Sequence, residues 1–186
     1  TEMKKYAIIV AGGSGTRFGS TLPKQFIPLG GVPVLMRTIK AFADYDRDIN
    51  IVVALPSEHL TLWGDLCALR NFDVPHKVVE GGANRFESVR NALFAVNETE
   101  CLVAVHDGAR PLVSRQVIAA GFETAARCGT AIPTVPVTDS IRQLDRNGSH
   151  NVSRESLVAV QTPQTFRLEI LKEAYTTAFS PLFTDD

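Results

Sequence analysis

The feature that most constrains this chain is a glycine-rich turn placed directly after a short apolar run. Residues 6–10 read Tyr-Ala-Ile-Ile-Val, and residues 11–19 read Ala-Gly-Gly-Ser-Gly-Thr-Arg-Phe-Gly. An apolar run of this length is typical of a buried strand in a parallel sheet. A strand that ends in glycines leaves backbone N–H groups free to bind phosphate oxygens. The pattern therefore predicts a phosphate site at the end of the first strand.

Two cations follow the glycines, Arg17 and Lys24, and they indicate a site for a nucleoside triphosphate. The better-known glycine motifs do not fit. A Walker loop needs Lys-Ser or Lys-Thr after its last glycine, and the sequence has neither pair. The dinucleotide fingerprint needs a third glycine at the position of Phe18. An ordinary glycine turn that ends an edge strand is the alternative.

Composition narrows the class of protein. A chain of 186 residues is suited to one domain, which we expect to span residues 1–186. Its formal net charge of −1 argues against a nucleic-acid partner, so local cations must bind any anionic substrate. Cys67, Cys101 and Cys128 form no C-x-x-C pair, and we expect reduced thiols in a cytoplasmic protein. The run at residues 6–10 is too short to cross a membrane or to act as a signal sequence.

Apolar runs alternate with helical patterns along the chain. The expected strands are Tyr6–Val10, Ile49–Leu55, Lys77–Val79, Leu102–Val105 and Thr130–Val135. The expected helices lie at residues 34–43, 60–69, 84–95 and 116–127, with a capping box at Asn84 and Glu87 and an N-cap at Ser114. This alternation predicts a three-layer α/β/α, Rossmann-like fold with a mostly parallel sheet. Its ligand should lie at the carboxyl ends of the strands.

One segment, from about residue 139 to residue 158, is polar and weakly periodic. Asn147-Gly148 is a strong signal for a two-residue hairpin turn, so we interpret the segment as a protruding β-arm. A surface loop without regular structure is the alternative. The polar run that follows is expected to be a surface turn, with its Gln161-Thr162-Pro163-Gln164 tetrad placed before a helix.

Two further groups of residues carry chemistry. Asp107 ends the apolar run that begins at Leu102, and Arg110 follows three residues later. A carboxylate at a strand end can hold Mg²⁺ together with phosphate oxygens and water, while an Asp107–Arg110 ion pair is the alternative. His106 is expected to be a packed, hydrogen-bonded neighbour and not a catalytic base. Gly81-Gly82 would allow backbone groups to approach a base edge, or could simply separate a strand from a helix.

Six blocks of the sequence, in order, resemble the 2-C-methyl-D-erythritol 4-phosphate cytidylyltransferase family of the sugar- and polyol-phosphate nucleotidyltransferases. The blocks are the Ala11–Arg17 loop, Pro23-Lys24-Gln25, Gly81-Gly82 with Arg85 and Ser88, His106 to Pro111, Pro136 to Ser140, and Arg154 with Gln161 to Gln164. Together they span nearly the whole chain. The sequence departs from the family at Ala83, where an acid is frequent, and at Ser140, where threonine is common. The family also continues past position 186 with a strand, a lysine-bearing motif and a last helix.

The resemblance implies a role for each matched position. Cytosine would be bound by Ala11, Gly12, Gly82 and Ser88, and the phosphates of CTP by the backbone of Gly13, Ser14, Gly15 and Thr16. Arg17 and Lys24 would be catalytic and would stabilise charge on the α-phosphate, while Asp107 would bind Mg²⁺. The polyol phosphate would be bound by Arg110, Ser140, Arg154 and Thr162, some of them supplied across a homodimer whose β-arms cross.

The implied reaction is Mg²⁺-dependent transfer of a cytidylyl group from CTP to 2-C-methyl-D-erythritol 4-phosphate. The products would be 4-diphosphocytidyl-2-C-methyl-D-erythritol and pyrophosphate, within non-mevalonate isoprenoid biosynthesis. A ribitol-5-phosphate cytidylyltransferase is one alternative, and a non-catalytic nucleotide-binding domain of the same fold is another. The second acid near the metal and the lysine of the last motif are expected beyond residue 186.

Overall fold

The computed structural model of the protein describes residues 3–12, 22–183 and 185–186. Its strands are β1 Lys5–Val10, β2 Pro28–Leu29, β3 Val32–Pro33, β4 Asn50–Leu55, β5 Lys77–Glu80, β6 Leu102–Asp107, β7 Thr130–Ala131, β8 Thr134–Pro136, β9 Ile141–Asp145, β10 Gly148–Val152, β11 Val158–Val160 and β12 Gln164–Arg167. Its α-helices are α1 Val34–Tyr45, α2 Leu60–Leu69, α3 Arg85–Phe94, α4 Arg115–Cys128 and α5 Leu168–Ala174. Within these ranges no helix has the length and apolar character needed to span a bilayer.

Six strands form the central sheet, in the order β5-β4-β1-β6-β12-β7. The four strands β5, β4, β1 and β6 run parallel, and β12 lies antiparallel between β6 and β7. Parallel strands place their carboxyl ends at one edge of the sheet, where ligands of such folds bind. The prediction of a mostly parallel α/β sheet is therefore confirmed.

Both faces of the sheet are covered, because the central strands are apolar at successive positions. In β1, Ala7 and Ile9 pack on one side with residues of α1, α2 and α4, whereas Ile8 packs on the other side with residues of α3 and α5. All three side chains are fully buried. The result is the three-layer α/β/α arrangement that the sequence predicts.

Two helix starts form as predicted. The Asn84 side chain accepts a hydrogen bond from the Glu87 N–H at 2.9 Å, and Ser114 accepts one from the Val117 N–H at 3.2 Å. The Glu87 carboxylate in turn accepts from the Ala83 N–H at 2.8 Å, one residue before the cap. These bonds satisfy backbone donors that a helix start otherwise leaves without partners.

The region around residues 130–166 differs from the prediction. The expected strand Thr130–Val135 is wrong as a single element, because Pro133 lacks the N–H that a continuous ladder needs. Its first part, β7, joins the central sheet, and its second part, β8, pairs with β11 in a separate ribbon. The Gln-Thr-Pro-Gln tetrad does not precede a helix directly, since Gln164 begins the buried strand β12.

The predicted hairpin is present as β9 and β10, which pair antiparallel in a sheet of their own. Its turn is shifted by one residue from the expected Asn147-Gly148. Gly148 pairs with Asp145, so Arg146 and Asn147 form the turn, and Gly148 adopts a φ of 141° that favours glycine. The Asn147 N–H donates to the Asp145 carboxylate at 2.8 Å, which closes the turn locally.

Thr38 connects helix α1 to the loop after β6. Its side chain is fully buried, and its hydroxyl donates to the carbonyl oxygen of Gly108 at 2.9 Å. Thr38→Val keeps the shape but removes the donor, so we expect the free energy of unfolding to fall by about 1–3 kcal/mol. Urea unfolding measures the change, with the exposed α2 substitution Thr61→Val as the control. Equal stability of the two variants would contradict the assigned hydrogen bond.

Candidate functional site

A cleft of about 540 Å³ opens at the carboxyl ends of β1 and β6. Four segments line it: the end of β1, the short turn at Lys24–Phe26, the start of α3 and the loop after β6. The lining residues are Val10, Ala11, Gly12, Lys24, Gln25, Gly82, Ala83, Asn84, Arg85, Ser88, Asp107, Ala109 and Arg110. The cleft lies at the edge of the sheet where the sequence predicts a ligand.

The structure brings together seven of the predicted site residues in this cleft: Ala11, Gly12, Lys24, Gly82, Ser88, Asp107 and Arg110. The predicted phosphate-binding and catalytic residues Gly13, Ser14, Gly15, Thr16 and Arg17 lie outside the described residues. Ser140 and Arg154 do not line the cleft, and instead line a separate cavity of about 430 Å³ beside the β9–β10 hairpin. Their role toward a substrate stays a prediction.

The second glycine turn packs tightly against the start of α3. A Cβ at Gly82 would lie 2.2 Å from the Cβ of Glu87, so a side chain at this position would clash. The Gly82 N–H donates to the Ser88 hydroxyl at 3.1 Å, and that hydroxyl donates to the Asn84 carbonyl oxygen at 2.8 Å. The turn therefore presents backbone atoms and the first turn of α3 to the cleft, where the helix dipole favours negative charge.

The turn that carries Lys24 is fixed by its two neighbours. Gln25 is 1% exposed, and its Nε2 donates to the Ala11 carbonyl oxygen at 2.8 Å. Phe26 is 1% exposed and stacks on Trp63, with ring centroids 6.1 Å apart. Lys24 thus projects from a segment that is bonded to the end of β1 and packed into the core. Gln25 belongs to one of the family blocks, but no local sequence pattern indicates its contact with Ala11.

Asp107 lies between two guanidinium groups. Its Oδ2 is 2.7 Å from Arg110 Nε, and its Oδ1 is 3.4 Å from Arg85 Nη2. The Asp107–Arg110 ion pair, which the sequence left as the alternative to a metal site, is therefore present. The Asp107 side chain is nevertheless 33% exposed and lines the cleft. The ion pair thus leaves the carboxylate accessible from the cleft, where a cation would have to compete with the two guanidinium groups.

Metal-binding chemistry at this site would rest on one carboxylate. Within residues 3–12, 22–183 and 185–186, no group of three or more His, Cys, Asp or Glu side chains is arranged to hold a metal ion. Mg²⁺ differs from zinc in this respect, because it keeps several waters and takes one or two carboxylates together with substrate phosphates. The donor set around Asp107 thus fits Mg²⁺ that arrives with a nucleotide, and does not fit a permanent metal cage.

His106 and Thr162 fix the backbone beside Asp107. His106 is fully buried, and its Nε2 lies 2.9 Å from the Arg110 carbonyl oxygen, which can only accept. Nε2 therefore carries the proton, and Nδ1 accepts from the Thr162 hydroxyl at 2.9 Å. The same hydroxyl accepts from the Asp107 N–H at 3.3 Å. His106 is the packed neighbour that the sequence predicts, while substrate binding by Thr162 stays a prediction.

Arg85 belongs to one of the family blocks, and the resemblance implies no role for it. Its Nη1 lies 2.8 Å from Oδ1 of Asp186, a carboxylate whose side chain is fully buried. The Tyr175 hydroxyl donates to the same oxygen. A contact across 101 positions of the chain leaves no local sequence pattern, so only the folded arrangement reveals it.

Burial lowers the pKa of His106 to about 4, from an ordinary value of 6.5. The unfolded chain then binds more protons between these two values, so the stabilising contribution is complete above pH 6.5 and is lost as pH falls toward 4. We expect His106→Gln to remove a pH-dependent part of about 3 kcal/mol from the free energy of unfolding across this window. Urea unfolding of both proteins at several pH values measures it. A wild-type-to-variant difference that stays constant with pH would overturn the assignment.

The family model and two relatives that match this chain all carry the same name. A family model described as 2-C-methyl-D-erythritol 4-phosphate cytidylyltransferase matches residues 6–186. The protein of that name from Bacteroides thetaiotaomicron is 49% identical over 184 residues, covering 99% of this chain and 84% of the relative. Its namesake from Porphyromonas gingivalis strain W83 is 49% identical over 185 residues, covering 100% of this chain and 82% of the relative.

Comparison with solved structures leads to the same family. The crystal structure of 2-C-methyl-D-erythritol 4-phosphate cytidylyltransferase from Thermus thermophilus matches with a TM-score of 0.70 and 34% identity, covering 95% of this chain and 75% of that one. A 4-diphosphocytidyl-2C-methyl-D-erythritol synthase from Anaerococcus prevotii shares the fold, with a TM-score of 0.82, 23% identity and coverage of 98% and 79%. With the family model, the relatives and the cleft geometry in agreement, this chain belongs to the 2-C-methyl-D-erythritol 4-phosphate cytidylyltransferase family.

Proposed function

We propose that this protein transfers the cytidylyl group of CTP to 2-C-methyl-D-erythritol 4-phosphate. The products are 4-diphosphocytidyl-2-C-methyl-D-erythritol and pyrophosphate. The observation that carries the proposal is the single cleft that gathers Lys24, Asp107 and the turn from Gly82 to Ser88 at the carboxyl ends of β1 and β6. The family to which the chain belongs performs nucleotidyl transfer, and its name supports both substrates.

The chemistry is a displacement between anions. A phosphate oxygen of the acceptor attacks the α-phosphorus of CTP in line, the new P–O bond forms, and the bond to the β-phosphate breaks to release pyrophosphate. Because the attacking group is already an anion, no side chain has to remove a proton, and the neutral, buried His106 is not needed as a base. The protein must position the groups and neutralise charge.

Lys24 is the described residue best placed for charge neutralisation. It lines the cleft on a segment that Gln25 and Phe26 hold in place, so its ammonium group is available without large reorganisation. Negative charge on the α-phosphate grows in the transition state, and a positive charge that interacts more strongly there raises kcat. Arg17 is proposed to share this role, and the backbone of residues 13–16 is proposed to bind the phosphates.

Asp107 is proposed to hold Mg²⁺ together with the phosphates of CTP. When bound, the ion would neutralise phosphate charge and so let two anions approach each other. Asp107 contributes an oriented carboxylate for this purpose, because Thr162 bonds its backbone N–H and Arg110 bonds its Oδ2. The base would be bound mainly by backbone atoms of residues 11–12 and 82, beside the Ser88 hydroxyl.

We further propose a homodimer in which the β-arm of one subunit reaches the cleft of the other. Ser140 and Arg154 lie outside the cleft of their own subunit, beside the hairpin. Three valines of the β8–β11 ribbon are 43–59% exposed, namely Val135, Val158 and Val160. Val158 and Val160 share one face of the ribbon, whereas Val135 pairs with Ala159 on the other face. Exposed apolar side chains that lie together, as Val158 and Val160 do, are frequent at interfaces. Through the dimer, Ser140 and Arg154 would join Arg110 and Thr162 in binding the polyol phosphate.

A cytoplasmic location is proposed from the cysteines. Cys67, Cys101 and Cys128 are all free thiols in this fold. Proteins of oxidising compartments commonly pair such residues in disulfides.

Pyrophosphate release with CTP and Mg²⁺ tests the reaction. We expect release with 2-C-methyl-D-erythritol 4-phosphate and little with ribitol 5-phosphate. The opposite preference would replace this proposal by the ribitol-5-phosphate activity. Absence of release with either acceptor would favour a nucleotide-binding domain without catalysis.

Lys24→Ala should lower kcat by roughly 100-fold or more with a smaller change in KM for CTP, because its charge acts mainly in the transition state. Steady-state kinetics of pyrophosphate release measure both constants. Lys40→Ala is the matched control, since Lys40 is an exposed lysine of α1 paired with Asp44 and does not line the cleft. A near-normal kcat for Lys24→Ala would remove this residue from the chemistry.

Arg154→Ala should raise KM for the acceptor and leave CTP affinity nearly unchanged, because a phosphomonoester loses one charge-assisted partner. If Arg154 acts in the neighbouring subunit, mixing Arg154→Ala with Lys24→Ala protomers should restore activity at acceptor concentrations below the raised KM, since each heterodimer contains one site with both residues. Mass spectrometry verifies that heterodimers form. Confirmed heterodimers without recovered activity would show that each subunit builds its own site.

A further inference from the structure

Arg85 lies between two carboxylates that differ in their surroundings. Its Nη1 is 2.8 Å from Oδ1 of Asp186, and its Nη2 is 3.4 Å from Oδ1 of Asp107. The Asp107 side chain is 33% exposed toward the cleft, whereas the Asp186 side chain is completely buried. The Arg85 guanidinium therefore pairs with the buried Asp186 and with Asp107 of the proposed metal site. Its contact with Asp186 is the shorter of the two.

Tyr175 and Phe86 hold Asp186 in its position beside Arg85. The Tyr175 hydroxyl donates to the same Oδ1 of Asp186, and the Tyr175 ring stacks on Phe86 with centroids 4.6 Å apart. Asp186 Oδ2 is buried and has no hydrogen-bond partner among the residues that the structure describes. A buried carboxylate with one such oxygen needs a nearby cation strongly. Asp186 consequently attracts the charge of Arg85 away from Asp107.

A cation bound at Asp107 would compete with the guanidinium groups there. Like charges a few ångströms apart repel each other strongly where water is partly excluded. Arg110 contacts Oδ2 at 2.7 Å, and Arg85 approaches Oδ1 only to 3.4 Å. Oδ1 is thus the oxygen with the weaker contact to a protein cation, and the strength of that contact depends on how firmly Asp186 holds Arg85.

We infer that Arg85 is a positioning residue that divides its charge between Asp107 and Asp186, and that Asp186 thereby sets how readily Asp107 accepts a divalent cation. The inference rests on the proposed role of Asp107 toward Mg²⁺. It assigns Asp186 a function at a distance, since Asp186 touches Arg85 and does not line the cleft. A merely structural Arg85–Asp186 pair would affect stability without affecting cation binding.

The measurement is the factor by which Mg²⁺ tightens CTP binding. Isothermal titration calorimetry gives the Kd for CTP in excess Mg²⁺ and in EDTA, without acceptor, and the ratio reports the cation alone. In Asp186→Asn the guanidinium is released toward Asp107, so we expect the tightening factor to fall by about 5-fold or more. In Arg85→Gln/Asp186→Asn the competing charge is absent, so the factor should return to the wild-type value or exceed it.

Asp185→Asn is the matched control. It removes the same charge one residue earlier, from a carboxylate that accepts from Gln164 Nε2 at 2.5 Å, and it should leave the factor unchanged. Tyr175→Phe is an independent variant for which we expect the opposite change in the tightening factor. Without the hydroxyl, Asp186 Oδ1 interacts more strongly with Arg85, so the tightening factor should rise, which also tests the inference should Asp186→Asn fail to fold.

Several outcomes would overturn the inference. They are equal factors for Asp186→Asn and Asp185→Asn, no recovery in the double variant, or a lower factor for Tyr175→Phe. A wild-type protein whose CTP affinity is independent of Mg²⁺ would also overturn it, together with the metal role of Asp107. Pyrophosphate release by the wild type separates the two proposals: an active enzyme with an unchanged factor in Asp186→Asn rejects only the role of Asp186.

Discussion

The parallel register of β1 and β6 is the constraint on which the site depends. Val10 and Asp107 are paired at the ends of these strands, so the segments that follow must leave the sheet side by side. The Gly108 N–H donates to the Val10 carbonyl oxygen at 2.8 Å, and a Cβ at Gly108 would lie 3.0 Å from that of Ala11. A side chain at position 108 would need its neighbours to move by a few tenths of an ångström, so glycine allows this close approach. Ala11 and Gly12 after β1, and Ala109 and Arg110 after β6, line the same cleft because two buried strands stay in register.

The charged side chains that line the cleft include both signs, so they do not form a uniformly positive surface. A chain with a net charge of −1 cannot attract a triphosphate by overall charge, so it must place cations locally. Lys24 comes from a turn fixed by a buried glutamine, and Arg110 and Arg85 flank the same carboxylate. Arg85 is held by the buried Asp186, and Arg110 is held by Asp107 and by the Gln161 side chain. In the part of the site that the structure describes, these contacts hold the loops in place without a ligand, which suits the proposed reaction because it depends on positioning.

Sequence alone predicted those parts of the fold whose signals are local. The near-continuous apolar runs of β1, β4 and β6 and the caps at Asn84 and Ser114 were found because each signal lies within a few residues. Strand β12 was missed, since Gln164 and Thr165 are polar but fully buried beside β6. The contacts of Gln25 with Ala11 and of Arg85 with Asp186 span 14 and 101 positions, so no spacing rule could reveal them.

The proposed nucleotide and acceptor functions lie on elements that differ in their contacts with the core. The cleft is tied to the core by Thr38, Gln25 and Thr162, whose polar groups bond the backbone of its loops. The β9–β10 hairpin pairs in a sheet of its own and is exposed along much of its length. Backbone groups can select a base only if their positions are fixed, whereas a polyol phosphate can be bound by long side chains on an exposed arm. The sheet edge therefore suits the proposed binding of CTP, and the exposed arm suits the proposed binding of the smaller acceptor.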